Sequence, residues 1–376
     1  MPRIYLDYNA STPICQSVRM AMAPYLEEAY GNPSSLHWAG QPARAAVENA
    51  RAEVAALLGA SADEIIFTSG GSEANNLALK GVAFALREKG RHIITAAAEH
   101  PAILAPCAFL EKIGFEVTRV PVDGQCRVDL DAVAPAVKPG TVLVSIMHAN
   151  NEVGTINPIA DIARVARSHG ALMHTDAAQS VGKVETKADA LGVDLLTMAG
   201  HKFGAPKGVG ALYVRRGTPL EPLIHGAGHE QGRRAGTESA LLAVALGAAA
   251  RDAADLAPLV QVKALRDRFW ASLQAQFGNR IALNGHPEER LPNTANISFV
   301  GKVGADILSA LDGVAASTGS ACHSGHVELS PVLAAMQVPP EVGMGAIRFS
   351  LGRTTTEAEI DTVAADLVRI VRDEMT

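Results

Sequence analysis

The stretch "TMAGHKFGAPKGVGAL", from Thr197 to Leu212, places Lys202 and Lys207 in a glycine-rich turn directly after an apolar run. Such a run is typical of a strand buried on both faces, and the small residues after it allow close approach of the backbone to a ligand. A lysine in a turn of this kind is most often a solvated loop residue. The residues at the ends of the other predicted strands indicate whether Lys202 has a functional role.

Helical segments alternate with short apolar segments upstream of this stretch. The predicted helices are 42–59 and 72–90, and the predicted strands are 64–70, 91–100, 115–122, 141–150, 171–179 and 194–202. This alternation predicts an α/β protein with a mixed, mainly parallel sheet covered by helices.

The residue composition of the chain changes after Leu220. A glycine-rich, charged segment, "HGAGHEQGRRAGTES" (225–239), leads into a helical stretch that runs to about Gly278. Strands are predicted in "NTANISFV" (293–300) and "AIRFSLG" (346–352), followed by a final helix from about Thr356. We therefore predict a large domain, 15–257, and a smaller α/β domain, 258–376, which residues 1–14 join.

Composition narrows the class of protein. The 376 residues are 48% hydrophobic, and 33 Lys and Arg against 39 Asp and Glu give a net charge of -6 without a basic stripe, so no nucleic-acid partner is expected. Asp7 stands where a signal peptide needs an apolar core, and the longest apolar run, 240–250, is too short for a bilayer. We expect a cytoplasmic protein with a small ligand and no membrane partner.

Several strand ends carry polar residues, which is where open α/β sheets place their sites. "FTSGGSEANN" (67–76) passes from a strand through glycines into a helix, whose free N–H groups can hold a phosphate. Asp176 ends the strand before "AAQ", and Lys202 follows the next strand. A phosphate cradle, a carboxylate for a pyridine nitrogen and an amine for an aldehyde are together what pyridoxal 5'-phosphate requires.

Ordered motifs along almost the whole chain resemble those of the cysteine desulfurases and the related selenocysteine lyases, in the class V aminotransferase group of pyridoxal-phosphate enzymes. The motifs are "YLDYNASTP", "GNPSSLH", "TSGGSEANN", "AEHPAIL", "ANNEVGT", "HTDAAQSVGK", "GHKFGAPKGVGALYVRRG", "GRRAGTES", "RLPNTANISF", "STGSACHSG" and "IRFSLGRTT". The resemblance implies the fold type I of pyridoxal-phosphate transferases, with a large domain and a smaller C-terminal domain.

The resemblance also implies the roles of particular residues. Lys202 would carry the cofactor, His100 would stack on its ring, Asp176 would pair with the ring nitrogen, and Gln179 and Asn151 would bind the ring oxygen. The residues that would hold the phosphate are Gly71, Ser72, His201 and, from a second subunit of a homodimer, Thr237. Ala199 departs from the serine that many relatives have there. Arg348, with Asn151 and Asn32, would bind the substrate, because a guanidinium grips a carboxylate with two bonds.

Cys322, in "STGSACHSGHVE", matches the catalytic cysteine of the family, whereas Cys15, Cys107 and Cys126 suit small core residues. The implied reaction converts L-cysteine to L-alanine and leaves a persulfide on Cys322, for transfer to an acceptor such as an iron-sulfur scaffold. Cys322, His323 and His326 supply too few ligands for a convincing metal cluster, so no metal is expected.

Three alternatives stay open at this stage. A selenocysteine lyase would release selenide from L-selenocysteine, and "ACHSGH" (321–326) resembles the animal lyases, although Pro101 and "GHEQGRRAGTES" (228–239) favour a desulfurase. A class V aminotransferase would use Lys202 and Asp176 without Cys322. A sulfur or metal carrier would need no cofactor.

Overall fold

A seven-stranded sheet lies at the centre of the computed structural model, which describes residues 3–318, 322–323 and 326–373. Its strands, in spatial order, are β2 (Ile65–Thr68), β8 (Gly210–Val214), β7 (Leu195–Ala199), β6 (Leu172–Asp176), β5 (Thr141–Ser145), β3 (His92–Ala96) and β4 (Glu116–Val120). β8 runs antiparallel to both neighbours, and β7, β6, β5, β3 and β4 are parallel. The predicted mixed, mainly parallel α/β sheet is confirmed.

Helices cover this sheet and also occur in the C-terminal part of the chain. They are α1 (Gln16–Glu27), α2 (Gly40–Leu58), α3 (Gly71–Ala85), α4 (Pro101–Lys112), α5 (Leu130–Ala136), α6 (Ile159–Ser168), α7 (Ala188–Leu191), α8 (Ala240–Ala253), α9 (Pro258–Phe277), α10 (Gly304–Ala310), α11 (Pro331–Ala335), α12 (Pro340–Gly343) and α13 (Glu357–Asp373). Within the described ranges, none of them combines the length and the apolar character that crossing a membrane requires.

Helix boundaries follow local chemistry. α2 ends at Gly59, whose φ of 66° is the left-handed conformation that glycine adopts without strain. The single helical stretch predicted over 239–278 is wrong in one respect, because it divides into α8 and α9. Pro258 is the first residue of α9, a position at which a backbone N–H would have no acceptor within the helix, so proline is tolerated there. Residues 254–257 lie between the two helices.

A second, antiparallel sheet has the order β12 (Ser317–Thr318), β15 (Ala346–Ser350), β10 (Thr294–Phe299) and β9 (Ile281–Asn284). α9 and α13 pack with it around one hydrophobic cluster, which Ile4 and Leu6 join from the N-terminus. Two short pairs complete the strands: β1 (Ile4–Tyr5) with β11 (Val314–Ala315), and β13 (Cys322–His323) with β14 (His326–Val327). The division of the chain into 15–257 and 258–376 with 1–14 stays a prediction, which this packing favours.

Leu6→Ala should lower the free energy of unfolding by about 2–5 kcal/mol, because Leu6 is completely buried among residues that are far away in the sequence. Urea denaturation followed by circular dichroism measures this loss. Met20→Ala is the control, since Met20 is 69% exposed and should change the free energy by less than about 0.5 kcal/mol. Equal effects of the two substitutions would contradict the packing of the N-terminus described above.

Candidate active site

The carboxyl ends of the parallel strands open into a cavity of about 310 Å³. Asp176 is the last residue of β6, and Lys202 ends a single 3-10 turn after β7. Parallel strands place their carboxyl ends at one edge of a sheet, so residues that are distant in the sequence meet there. The sequence-predicted residues that line the cavity are Gly71, Ser72, His100, Asn151, Asp176, Gln179, His201, Lys202 and Arg348.

Asp176 lies in the cavity wall as a well-partnered carboxylate. Its Oδ2 accepts a hydrogen bond of 2.7 Å from Asn75 Nδ2, and its Oδ1 accepts one of 2.9 Å from the backbone N–H of Ala178. Both carboxylate oxygens of Asp176 are therefore held in place by neutral donors. Asn75 was missed by the sequence analysis, although it lies one helical turn after Gly71 and therefore on the same face of α3.

Lys202 presents an amine with a reduced proton affinity. Its Nζ donates to the backbone oxygens of Asn9, at 2.6 Å, and Ala10, at 3.1 Å. Burial first and the charge of Arg348 second lower the pKa of Lys202 to about 8, against the opposing influence of Asp176. At pH 7 about a tenth of this amine is therefore uncharged and nucleophilic, a far larger fraction than for a lysine of ordinary pKa.

His100 and His201 line the same cavity as Lys202, and both have lowered pKa values. The Nδ1 of His100 accepts a bond of 3.0 Å from the N–H of Ala102 and so caps α4, which places the ring proton on Nε2. Burial lowers the pKa of His100, with a smaller effect of Lys202 in the same direction opposed by Asp176. Burial, with Lys202 and Lys207, lowers the pKa of His201 to about 4.

Arg348 enters the cavity from β15 of the second sheet. Its Nη2 donates to Asp7 Oδ1 at 2.7 Å and its Nη1 to the backbone oxygen of Asn151 at 2.9 Å. Its Nε is buried and has no hydrogen-bond partner among the residues that the structure describes. Asp7 was also missed, because nothing in the sequence relates it to a residue 341 positions later.

The cavity is narrow and polar at the beginning of α3. A Cβ added to Gly71 would lie 3.1 Å from the Cβ of Ala199, so the wall leaves no room for a larger residue without movement. Gly70, which caps this helix, has a φ of 150°. The N–H groups of the first turn have no acceptor within the helix, and the helix dipole places partial positive charge beside them. This end of the cavity suits an anion.

The remaining predicted residues lie elsewhere in the chain. Thr237 lines a separate cavity of about 130 Å³, together with Ser69 and Arg234. Asn32 is exposed between α1 and α2, where its side chain accepts a bond of 2.9 Å from the N–H of Ser34. Cys322 has its backbone in β13, and its side chain lies outside the described part of the structure, as do those of His323 and His326.

Comparison with known proteins gives a consistent result. The sequence profile described as "Aminotransferase class-V" matches residues 4–363. The chain is 49% identical over 376 residues to a cysteine desulfurase IscS of Dictyoglomus turgidum, covering 98% of this chain and 94% of that protein. It is 45% identical over 373 residues to a cysteine desulfurase IscS of Methanosarcina thermophila, covering 98% and 92%. A solved structure titled "NIFS-LIKE PROTEIN" is 38% identical, with a TM-score of 0.93 over 98% of this chain and 99% of that one.

A lysine amine and a buried carboxylate at neighbouring strand ends, in this fold, define a type I pyridoxal-phosphate enzyme. The chain belongs to the class V aminotransferase family and, within it, to the cysteine desulfurases, so the resemblance stated from the sequence is confirmed. None of the similar proteins named above favours the selenocysteine lyase alternative.

The residues of the cavity fit pyridoxal 5'-phosphate. Three polar atoms of the cavity are buried without a hydrogen-bond partner within the described ranges: Asn75 Oδ1, Asn151 Oδ1 and Arg348 Nε. Buried polar atoms nearly always have partners, so unpartnered atoms on cavity-lining residues indicate a polar ligand. The anion-binding helix start, the carboxylate and the amine correspond to the cofactor's phosphate, pyridine nitrogen and aldehyde.

The rate at which the apoprotein captures pyridoxal phosphate should rise with pH and level off above about pH 8. The amine of Lys202 attacks an aldehyde only after it has lost its proton, and its pKa is about 8. Arg348→Gln should move the midpoint to higher pH, because Arg348 contributes to lowering that pKa. Stopped-flow absorbance measures the rate.

Arg353→Gln is the matched control for this titration. Arg353 donates to the backbone oxygens of Asp252 and Asp255 and is absent from the causes that lower the pKa of Lys202. Its midpoint should stay near pH 8. A wild-type midpoint near the ordinary lysine value of 10.5, or one that Arg348→Gln leaves in place, would contradict the electrostatic account.

Proposed function

We propose that this cavity converts L-cysteine to L-alanine and leaves the substrate sulfur as a persulfide on Cys322. The observation that carries the proposal is the placement of Lys202, Asp176 and Arg348 around one cavity. When bound, pyridoxal phosphate supplies an aldehyde carbon and an electron-withdrawing ring. The protein's own residues bind, orient and move protons around it.

Each polar group of the cavity has a task in this proposal. Asp176, whose carboxylate is held in place by hydrogen bonds from Asn75 and Ala178, would pair with the ring nitrogen. His100 covers the ring face, and Gln179 and Asn151 bind the ring oxygen. Gly71, Ser72 and His201 hold the phosphate at the start of α3, whose N–H groups compensate for the methyl group of Ala199.

Lys202 and Arg348 act on the substrate. Lys202 would hold the cofactor through its aldehyde, and the free amine of Lys202 would move the proton of the substrate Cα. Its lowered pKa suits both roles, since the free amine is the base. Arg348 binds the substrate carboxylate with the N–H groups that Asp7 and Asn151 leave free, including Nε, which has no partner in the described part of the chain. Asn32 is proposed to assist from the loop before α2.

Cys322 receives the sulfur. Its thiolate attacks the substrate sulfur, an S–S bond forms as the Cβ–S bond breaks, and Cβ takes a proton to give alanine. The ends of the segment that carries Cys322 are attached beside the cavity. Ser317 in β12 pairs with Arg348, and the Ser330 hydroxyl donates to Glu152, the neighbour of Asn151. This attachment supports the assignment of Cys322 to the site.

The proposal also includes an acceptor for the sulfur and the assembly of the chain into a dimer. The persulfide passes to an acceptor protein such as an iron-sulfur scaffold, in the cytoplasm. Two copies of the chain form a homodimer in which Thr237 of each copy serves the phosphate of the other. Two ion pairs hold the segment that carries Thr237: Arg51 with Glu230, at 2.6 Å, and Arg234 with Glu73, at 2.8 Å.

Cys322→Ala should reduce alanine formation from L-cysteine by roughly 100-fold or more, because sulfur then lacks a thiolate acceptor. Alanine formation from L-selenocysteine should remain measurable, since a selenol is more acidic and leaves carbon more easily. Cofactor absorbance should be unchanged. Parallel assays of alanine, sulfide and selenide measure all three.

Cys15→Ala is the control for this comparison, because burial raises the pKa of Cys15 and leaves little thiolate. It should keep the wild-type rate with both substrates. Desulfuration by Cys322→Ala at close to the wild-type rate would remove Cys322 from the mechanism. A wild-type enzyme that forms alanine only from L-selenocysteine would favour the lyase instead.

A mixture of Lys202→Ala and Thr237→Ala proteins should be more active than the sum of the two alone. If Thr237 serves the other copy, a mixed dimer contains one site with both residues intact. If Thr237 serves its own copy, every site of the mixed dimer lacks one of them. The activity is measured after unfolding and refolding the proteins together, at a limiting concentration of pyridoxal phosphate. Simple additivity of the two activities would contradict the shared site.

A further inference from the structure

Lys183 is a buried lysine to which the mechanism above gives no role. It is 8% exposed, and its Nζ donates bonds of 2.9 Å to Asn9 Oδ1 and of 2.9 Å to Gln179 Oε1. Both acceptors are amide oxygens of residues that line the cavity. Within the described residues no carboxylate forms an ion pair with Lys183, and the charged groups that act on it are Lys202 and Arg348, both positive.

Burying a lysine without a carboxylate partner costs free energy. The two hydrogen bonds that Lys183 donates are therefore the feature that explains its buried position. We propose that Lys183 is a positioning residue that fixes the amide of Gln179 so that its NH₂ group, not its oxygen, is available to the cofactor. This inference rests on the proposed function, in which Gln179 binds the ring oxygen of pyridoxal phosphate.

The geometry allows one orientation of the Gln179 amide. With Oε1 on Lys183 Nζ, the Nε2 of Gln179 donates to the backbone oxygen of Asn9 at 3.0 Å and retains a second N–H. Rotation of the amide by 180° would place the NH₂ group against a lysine donor and the carbonyl against the oxygen of Asn9. Two hydrogen bonds would be replaced by two contacts between like groups.

The same contacts relate Lys183 to Lys202. The backbone oxygen of Asn9 accepts from Gln179 and also from Lys202 Nζ, at 2.6 Å. The side-chain oxygen of Asn9 accepts from Lys183 and from Asn293 Nδ2, at 3.0 Å. Asn9 is therefore held from both sides, and the amide of Gln179 is held at its oxygen by Lys183 and at its nitrogen by the backbone oxygen of Asn9. A ring oxygen carrying negative charge needs a donor, which the fixed NH₂ group supplies.

A double-mutant cycle on cofactor affinity tests this role. Lys183→Met keeps most of the side-chain volume and removes the donor, so the apoprotein should bind pyridoxal phosphate roughly three- to tenfold more weakly. Gln179→Leu should weaken binding by a similar factor. If Lys183 acts through Gln179, adding Lys183→Met to Gln179→Leu should cost little more. Equilibrium titration of the apoproteins measures binding without turnover.

Lys187→Met is the matched control. Lys187 also donates two bonds to neutral oxygens, those of Ala56 at 3.0 Å and Leu57 at 2.9 Å, and it lies away from the cavity. Its substitution should leave cofactor affinity unchanged. A Lys183→Met effect equal to that of the control, or one that adds in full to Gln179→Leu, would overturn the inference while leaving the proposed function intact. Failure of the wild-type apoprotein to bind pyridoxal phosphate would overturn the proposed function itself.

A second measurement does not depend on variants that fold. A crystal structure of the wild-type holoenzyme at a resolution that distinguishes amide oxygen from nitrogen should show Gln179 Nε2 on the ring oxygen and Oε1 on Lys183 Nζ. The opposite orientation, or a separation of Lys183 Nζ and Gln179 Oε1 beyond hydrogen-bond distance, would overturn the inference.

Discussion

The site depends on the hydrogen bonds of Asn9, a residue that is 1% exposed. Its backbone oxygen accepts from Lys202 and Gln179, which belong to the large sheet's loops. Its N–H donates to Ser350 and its Nδ2 to Thr294, which belong to the second sheet. The N-terminal segment therefore ties both sheets to the reactive lysine, and a shift of either sheet would move Lys202.

The charges around this point are arranged so that the lysine amine loses its proton more easily than an ordinary lysine does. Burial and Arg348 lower the pKa of Lys202, and the carboxylate of Asp176 accepts hydrogen bonds from Asn75 and Ala178. Asp7 holds Arg348 at the other end of the cavity. An amine that acts as nucleophile and base and an anion that holds a proton on a pyridine nitrogen can thus coexist within 310 Å³.

Sequence patterns predicted the parts of this site that depend on local order. Asp176 and Lys202 follow apolar strands, and parallel strands bring such positions together, so their meeting could be predicted. Asp7, Asn75 and Lys183 were not predicted as site residues from the sequence. Their roles depend on side-chain contacts that form only when distant segments pack together. Lys183 is an example, since a lysine at this place in a sequence has the appearance of a surface residue. Cys322, Thr237 and Asn32 stay predictions, which rest on the resemblance to the family.

Borohydride reduction of the enzyme in the presence of pyridoxal phosphate, followed by peptide mass spectrometry, tests most directly the claim that Lys202 is the reactive amine. Lys202 and Lys183 both line a second cavity, and both have lowered pKa values. The measurement therefore decides which of these two lysines is the reactive amine. The account predicts the reduced cofactor on the peptide that contains Lys202 and none on the peptide that contains Lys183. A label on Lys183, or no label at all, would contradict it.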